Sequence, residues 1–457
     1  MKRFVLCTNP LIELWPVQFG TAVIATWMAM PLELRMSLLV VIGLLLGALA
    51  NHIIYRYAYF VARPITPWAS KAFLSRFQDP KVSPRSWLDR IPLLGWLRLR
   101  RESHIHGNGF WIRPLLIELS MAIVLPLLYQ FEALDGGLLP TSARFARFLV
   151  LFETRGTIIF FAHAILLALM VPATFIDFDE KTIPDIITIP GTILGLIIGT
   201  VSLNVFMPTA LPVGGNAVSV FPTLFDSPWF PAPNNHLTAK YWWIAMAIWT
   251  TWCFALADRR WSWAVARRRG FGRAVKHLVD GIFHYGFWKW LAAIWLIGFI
   301  GITAIYRSGG TDAWYGLFSS LVGLAVGGGI VWTIRIIASW AMNMEAMGFG
   351  DVTLMAMIGA FIGWQASLSA FFLAPFAAIV IVLVQFVITR DPHVPFGPYL
   401  CAGTLLTIVF WDKVYNGWFA FNLLTIGPIL LWICIAMLGL MGVMLFVWRL
   451  IKMRLFG

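Results

Sequence analysis

Apolar runs of similar length recur along the 457-residue chain, separated by shorter polar segments. A run of about 20 residues with few charges is long enough to cross a ~30 Å hydrocarbon layer as a helix. Continuous apolar runs favour helices over the alternating strands of a membrane barrel. The pattern therefore predicts an all-α fold, a polytopic transmembrane helical bundle of about 11 helices, at residues 37–56, 114–131, 156–176, 184–205, 241–257, 287–306, 316–341, 352–364, 367–389, 397–412 and 420–449.

A twelfth span can be drawn at residues 15–32, which are also apolar. Pro16, Gln18 and Pro31 interrupt this run, so it equally fits a helix that lies at the membrane interface. Residues 1–36 are therefore interpreted as an N-terminal segment that contains either an interfacial helix or an extra span.

The composition supports a membrane protein. Hydrophobic residues make up 60% of the chain and charged residues 12%, and the mean hydropathy is +0.80. A soluble core could not enclose this much apolar surface. The net charge of +13 comes from short basic clusters between the apolar runs, as the positive-inside rule expects of cytoplasmic loops. Membrane lipids are therefore expected partners, and nucleic acid is not.

Two basic loops set the predicted orientation. Loop 57–113 and loop 258–286 should both face the cytoplasm, because they hold most of the arginines. The segment 206–240 then falls outside. The same count places Asp177, after the third predicted span, and Asp351, after the seventh, on the cytoplasmic face. The basic residues include Arg63, Lys71, Arg76, Lys81, Arg85, Arg90, Arg98, Arg100 and Arg101 in the first loop, which ends at Arg113, and Arg259, Arg260, Arg267, Arg268, Arg269, Arg273 and Lys276 in the second.

Four regions follow from this pattern. After residues 1–36, residues 37–205 hold four spans and the first basic loop. Residues 206–306 hold a pair of spans around loop 258–286, and residues 307–457 hold the remaining spans. The stretch 208–233 is rich in proline and is interpreted as an irregular external loop.

Residues 176–185 place four acids directly after an apolar helix: Asp177, Asp179, Glu180 and Asp185. Acids often only solvate a loop at the membrane surface, and that interpretation stays open for the segment alone. Asp177 differs from the others because it lies nearest the end of the span, where a carboxylate is costly and usually functional.

A second acidic segment runs from Glu345 to Asp351, again at a helix junction. Gly348 and Gly350 flank Phe349, and glycine allows backbone angles and close approaches that a side chain would block. An unremarkable loop remains the alternative for this segment by itself.

Together the two segments indicate more than either alone. Two aspartates from separate helices that meet on one face can share a proton. The ionised carboxylate then activates water and the protonated one polarises a scissile carbonyl. The sequence leaves open which aspartate takes which role.

At these residues the chain resembles the type IV prepilin peptidases, membrane aspartyl proteases with a Gly-x-Gly-Asp signature. Residues 176–185, with Asp177 six positions before Ile183-Pro184, resemble the first catalytic block of that family. Residues 345–364 resemble the second. The resemblance implies that Asp177 and Asp351 are catalytic, with Gly348, Gly350, Glu345, Asp179, Asp185 and Pro184 as supporting residues.

Three flanking blocks also resemble the family, in its order. Gly47-Ala-Leu-Ala-Asn51 with Tyr55-Arg56 resembles the end of its first helix. Ile91–Trp96 and Arg113-Pro114 with Glu118 resemble the end of its cytoplasmic loop and the next helix. Pro395-Phe-Gly-Pro398 resembles the start of a late helix.

The chain also departs from the family in ways that affect cofactors. Typical members carry two Cys-x-x-Cys pairs in the first loop, thought to hold zinc, but residues 57–113 contain no cysteine. No metal is therefore expected. Family members often also methylate the new N-terminus with S-adenosylmethionine. The divergent loop, with Ala48 and Ala50, argues against that cofactor here, and proteolysis itself needs none.

Two further departures concern the site and the spacing. Thr353 stands where the family commonly has lysine. Asp177 and Asp351 are separated by about 100 residues more than is usual in the family. An inserted pair of spans at residues 206–306 accounts for the difference. Because two spans are added, the topology of the remaining chain is unchanged.

The resemblance implies a prepilin peptidase of the inner (cytoplasmic) membrane with its active site facing the cytoplasm. Its substrates would be prepilins or type II secretion pseudopilins, which carry a short basic leader before a hydrophobic helix. Asp179, Glu180, Asp185 and Glu345 are a hypothetical acidic mouth for that leader, with ordinary interfacial solvation as the alternative. Two other functions remain open: a non-catalytic assembly protein, and a transporter in which Gly327–Gly329 and Asp177 line a path.

Overall fold

The computed structural model describes residues 15–57, 65–68, 85–144, 146–212, 218–227, 239–257, 270–284, 287–389, 395–427 and 429–456. Helices dominate. They are α1 Trp15–Ala29, α2 Leu32–Tyr57, α3 Leu94–Leu99, α4 Ser103–His106, α5 Ile112–Tyr129, α6 Ala146–Glu180, α7 Asp185–Val201, α8 Ala239–Ala255, α9 Phe271–His284, α10 Phe287–Ser308, α11 Gly310–Met342, α12 Phe349–Thr389, α13 Gly397–Val409, α14 Ala420–Ile426 and α15 Ile429–Phe456.

Shorter elements join these helices. Two π-helical segments, Gln130–Leu134 and Asp412–Phe419, extend α5 and precede α14. Four 3₁₀ turns lie at Trp87–Arg90, Arg100–Glu102, Thr141–Ala143 and Leu203–Val205.

Seven helices in the described residues are long and apolar enough to cross a membrane. The predicted helical membrane bundle is therefore confirmed, while the count of 11 helices stays a prediction. The helices α7 and α13 are apolar but shorter, and α1 has only 15 residues, so whether residues 15–32 span the membrane stays open. The seven are Leu32–Tyr57, Ile112–Leu134, Phe152–Glu180, Trp288–Ser308, Gly310–Met342, Phe349–Leu383 and Trp432–Lys452.

The break that was predicted after residue 364 lies inside α12. Gly363 has φ +79° and ψ 173°, which interrupts the helical backbone. Trp364 and Gln365 follow it and donate hydrogen bonds to the carbonyl oxygens of Phe225 and Leu224. These bonds satisfy the polar side chains beside the break and connect α12 to residues 224–225.

The described residues of the stretch 208–233 are more regular than the irregular loop predicted there. Residues Pro208–Pro212 (β1) and Val218–Pro222 (β2) pair as an antiparallel ribbon, and the indole of Trp411 donates to the carbonyl of Pro208. A proline-rich sequence gives weak strand signals because proline removes backbone donors. Residues 213–217 and 228–238 lie outside the described residues.

The basic segment 258–286 also differs from its prediction as a loop. Its second half forms the amphipathic helix α9, Phe271–His284. Residues 258–269 and 285–286 lie outside the described residues.

Close helix packing places the start of α12. On α11, a Cβ at Gly323 would lie 2.1 Å from the Gly359 carbonyl oxygen, and one at Gly327 would lie 2.6 Å from that of Met355. Only glycine permits backbones to approach this closely. The glycines of α11 therefore hold α12 tightly, and this packing accounts for Gly327 without a transport path.

Candidate active site

Asp177 lies in the last turn of α6 and is 4% exposed. The helix ends just beyond it, since Lys181 adopts a left-handed φ of 55°. The Asp177 carboxylate accepts a hydrogen bond from the Gly397 backbone N–H at 3.0 Å. Gly397 is the first residue of α13, so Asp177 satisfies one of the backbone donors that a helix start leaves unpaired.

Asp351 lies in the first turn of α12 and is 7% exposed. It is close enough to Asp177 for the two carboxylates to interact electrostatically, and Arg335 on α11 acts on it with the opposite sign. A carboxylate in the first turn of a helix is also favoured by the helix dipole. Two helix starts and one guanidinium therefore offset the cost of burying two acids.

Ile183 joins the two acidic segments to a third block. A Cβ at Gly350 would lie 2.9 Å from Cβ of Ile183, and one at Gly397 would lie 2.8 Å from its Cδ1. Pro184, also buried, is the residue immediately before α7. Residues 176–185, 345–351 and 395–398 thus meet around one buried isoleucine.

Of the two glycines in the second segment, Gly350 makes a close approach to a neighbouring element. Neither Gly348 nor Gly350 adopts a positive φ. Gly350 makes room for Ile183, and a Cβ at Gly348 would lie 3.7 Å from an Asp351 carboxylate oxygen. Of the two reasons considered from the sequence, backbone freedom and proximity, the geometry supports proximity for Gly350 and neither for Gly348, whose contact at 3.7 Å is an ordinary van der Waals distance.

Arg335 is a residue of this site that the sequence analysis missed. Its side chain is 2% exposed, and it donates to the Met347 carbonyl oxygen at 3.0 Å and to Glu345 at 3.1 Å. Its guanidinium also lies over the Phe349 ring. Arg335 therefore holds the segment that presents Asp351. A usable signal was an arginine within an apolar span, which is costly unless it has a function.

The four residues of the hypothetical acidic mouth are placed differently from one another. Asp179 pairs with Arg113 at 2.8 Å, and Glu345, 60% exposed, pairs with Arg335. Glu180 and Asp185 are partly buried. The charges of Asp179 and Glu345 are thus already compensated by arginines, and the mouth stays a hypothesis.

Thr353, at the position where the family resemblance would place a lysine, is buried. Its hydroxyl donates to the Gly350 carbonyl oxygen at 3.0 Å and accepts from the Thr188 hydroxyl at 3.1 Å. The residue therefore ties the start of α12 to α7, beside the site.

The other blocks that resemble the family, residues 47–51 and 91–96, contact the buried carboxylate of Glu118, in α5. It accepts hydrogen bonds from the Leu93 backbone N–H at 2.6 Å, the Trp96 indole at 2.7 Å and the Asn51 amide at 3.2 Å. Gly47 packs against its backbone. Blocks that are far apart in sequence thus form one junction between α2, α5 and the first basic loop.

Ion pairs organise residues 85–111 of that loop. Asp89 is fully buried and pairs with Arg98 and Arg101. Glu102 pairs with Arg85. Burial alone would raise the pKa of Glu102, but hydrogen bonds from Arg85 and His106 lower it to about 2. Both carboxylates are therefore held as anions by neighbouring arginines.

The expectation that this loop holds no zinc stays a prediction from its sequence. Residues 57–113 lack cysteine, and nowhere in the described ranges do three or more His, Cys, Asp or Glu side chains gather as metal ligands. Its described carboxylates, Asp89 and Glu102, are committed to arginines.

The fold and the site define a polytopic helical membrane protein with two interacting buried aspartates at neighbouring helix ends. The sequence model of the Type IV leader peptidase family matches residues 287–383, which include Asp351 and Arg335. The resemblance inferred from the motifs is therefore confirmed for this part of the chain.

Curated relatives agree with this match. A prepilin leader peptidase/N-methyltransferase of Burkholderia pseudomallei is 32% identical over 108 residues, 22% of this chain and 35% of the relative. A protein of the same name from Pseudomonas putida is 28% identical over 105 residues, 22% of this chain and 36% of the relative. The chain thus spans about a third of the length of the curated relatives it matches. No solved structure matches.

Proposed function

We propose that this chain is an aspartyl endopeptidase that removes the leader peptide of type IV prepilins or type II secretion pseudopilins. The observation that carries the proposal is the placement of Asp177 and Asp351, two buried carboxylates from separate helices whose segments meet at Ile183. The match of residues 287–383 to the leader peptidase family supports the substrate class.

The proposed reaction needs one water and one shared proton. The ionised carboxylate takes a proton from water as the oxygen attacks the scissile carbonyl carbon, and the protonated carboxyl donates a hydrogen bond to the carbonyl oxygen. The tetrahedral intermediate then collapses as the amine leaves with a proton from the acid. The assignment of acid and base stays open, because each aspartate has its own stabilising partner: Gly397 for Asp177, and Arg335 for Asp351.

The proposal places the chain in the inner membrane with the aspartates at the cytoplasmic face. The arginines of loop 57–113 support this orientation under the positive-inside rule, and Arg113, at the end of that loop, contacts Asp179 beside the site. A basic leader followed by an apolar helix would then meet the pair at the membrane border. The proposal covers hydrolysis alone, without zinc or S-adenosylmethionine.

Cleavage of a purified prepilin by the chain reconstituted in lipid vesicles tests the proposal. We expect a cut between leader and hydrophobic helix, identified by mass spectrometry of both products, that does not need added metal. A non-catalytic assembly protein would bind the prepilin and leave it uncut, and a transporter would show neither cut nor stable binding. Either result contradicts the proposal.

Arg335 should behave as a positioning residue for this reaction. Replacing it by methionine, which keeps most of the side-chain volume, removes the bonds to Met347 and Glu345 and the positive charge near Asp351. We expect kcat to fall about 100-fold, since small displacements of catalytic groups cost this much, with a much smaller change in KM. Steady-state cleavage kinetics measure both, together with a shift of the pH profile of kcat.

The matched control is Glu345→Gln, which weakens one exposed contact of Arg335 and keeps its bond to Met347. Its kcat should stay within about threefold of the parent. A fall in kcat for Arg335→Met no larger than that of Glu345→Gln would contradict the positioning role.

A further inference from the structure

The helix α9, Phe271–His284, has two chemically distinct exposed faces. Val275, Val279 and Phe283 follow one another at four-residue spacing, so they form one stripe along the helix, and they are 38%, 45% and 62% exposed. Arg273, His277 and Asp280 lie on the opposite side and are also exposed. An exposed apolar stripe on a charged helix needs a covering surface.

The charge of α9 and of the sequence just before it favours an anionic partner. Segment 258–284 carries seven Arg and Lys residues against two Asp residues. Within the helix, Arg273 and Lys276 are both exposed. Amphipathic helices of this kind insert their apolar face at the boundary between headgroups and acyl chains, while their basic residues attract anionic lipids.

The position of α9 fits a membrane surface. Only residues 285 and 286 separate it from α10, whose segment Trp288–Ser308 is long and apolar enough to cross a membrane. Trp288 and Trp290 are exposed at the start of that span, 43% and 72% respectively. Exposed tryptophans at a helix end are typical of the membrane–water interface. The chain therefore enters the bilayer directly after α9.

We infer that α9 lies on the membrane surface and binds anionic phospholipid headgroups, with Val275, Val279 and Phe283 inserted among the lipids. The site is a lipid-binding surface outside the aspartate pair, and it does not depend on the proposed peptidase function. Arg273 and Lys276 provide the attraction for the headgroup phosphates.

The test uses the full chain with single cysteines on either side of α9. Cys7 and Cys434 are replaced by serine, and Cys253 and Cys401 are left because they are buried. An environment-sensitive fluorophore is placed at Phe283→Cys, or at His277→Cys as the matched control on the polar face. Both proteins are reconstituted in vesicles of phosphatidylcholine with phosphatidylglycerol that contain a lipid-borne quencher.

We expect the lipid quencher to reduce the signal at position 283 at least about threefold more than at position 277. The difference should shrink in vesicles of phosphatidylcholine alone, and in the double variant Arg273→Gln with Lys276→Gln. Equal quenching at the two positions would overturn the inference.

Two further outcomes separate other occupants of this face. A label at position 283 that is shielded from aqueous iodide but untouched by the lipid quencher would show that protein covers the stripe. A change of emission on adding inorganic phosphate to the detergent-solubilised chain would show a site for free phosphate. Each result would overturn the lipid assignment.

Discussion

Exchange of either buried aspartate for asparagine is expected to lower the rate of prepilin cleavage at least about a thousandfold. Asparagine keeps the shape of the side chain but can neither accept a proton from water nor pass one to the leaving amine. Asp177→Asn can still accept the hydrogen bond from Gly397, so the helix junction should survive. Initial rates with a purified prepilin, measured in the same vesicles, give the comparison.

Asp179→Asn is the matched control for that pair of variants. Asp179 lies two residues beyond Asp177, and its partner is Arg113 rather than the other aspartate. A pair with partly exposed side chains contributes little, so the rate should stay within about threefold of the parent. Retained cleavage in Asp177→Asn or Asp351→Asn would contradict the assignment of the catalytic pair.

Gly397→Ala is expected to reduce cleavage about 100-fold or more, although no group with acid or base chemistry is removed. The new Cβ would lie 2.5 Å from an Asp177 carboxylate oxygen and 2.8 Å from Cδ1 of Ile183. Side chains do not tolerate such distances, so the carboxylate must move away from Gly397 N–H and from its place beside Asp351. Cleavage kinetics detect this loss, and thermal unfolding reports whether the bundle stays folded.

Gly329→Ala provides the control for a glycine substitution in a span. Gly329 lies on α11, and a Cβ there would meet nothing within 4 Å, so activity and unfolding temperature should match the parent. Full activity in Gly397→Ala would show that Asp177 does not need the position seen in the structure.

Hydrophobic pattern alone was enough to predict the membrane bundle, because each span must satisfy its own backbone in lipid. The ends of the spans were less predictable. The sequence analysis separated two spans after residue 364, whereas the structure has one helix, α12, with a break at Gly363. The polar contacts of Trp364 and Gln365 with residues 224–225 that accompany the break are tertiary. A local pattern carries no information on such contacts.

The candidate site was found from its motifs, and its surroundings were not. Asp177 and Asp351 stand out because acids at span ends are rare. Arg335 belongs to a different helix from either motif, so only packing reveals that it holds Met347 and Glu345. The role of Glu118 as the junction of three separate blocks depends likewise on contacts between distant parts of the chain.

The amphipathic helix α9 shows a different limit. The sequence analysis counted the charges of segment 258–286 to set orientation and did not examine their spacing. Within Phe271–His284 the apolar and charged residues separate onto two faces at helical period. That signal was present in the sequence. The pairing of β1 with β2 was not predictable in the same way, because prolines weaken the strand pattern.

Cross-linking of positions 177 and 351 tests most directly whether the two aspartates share one site. The chain would carry Asp177→Cys and Asp351→Cys with its four native cysteines replaced by serine, and would be treated in native membranes with a short bifunctional thiol reagent. The account predicts an efficient intramolecular cross-link between positions 177 and 351. The control pair, Asp177→Cys with Asp412→Cys, should give none. Asp412 pairs with Arg144 near the start of α6, whereas Asp177 lies at the other end of that helix. No cross-link between positions 177 and 351, with both thiols shown to be reactive, would contradict it.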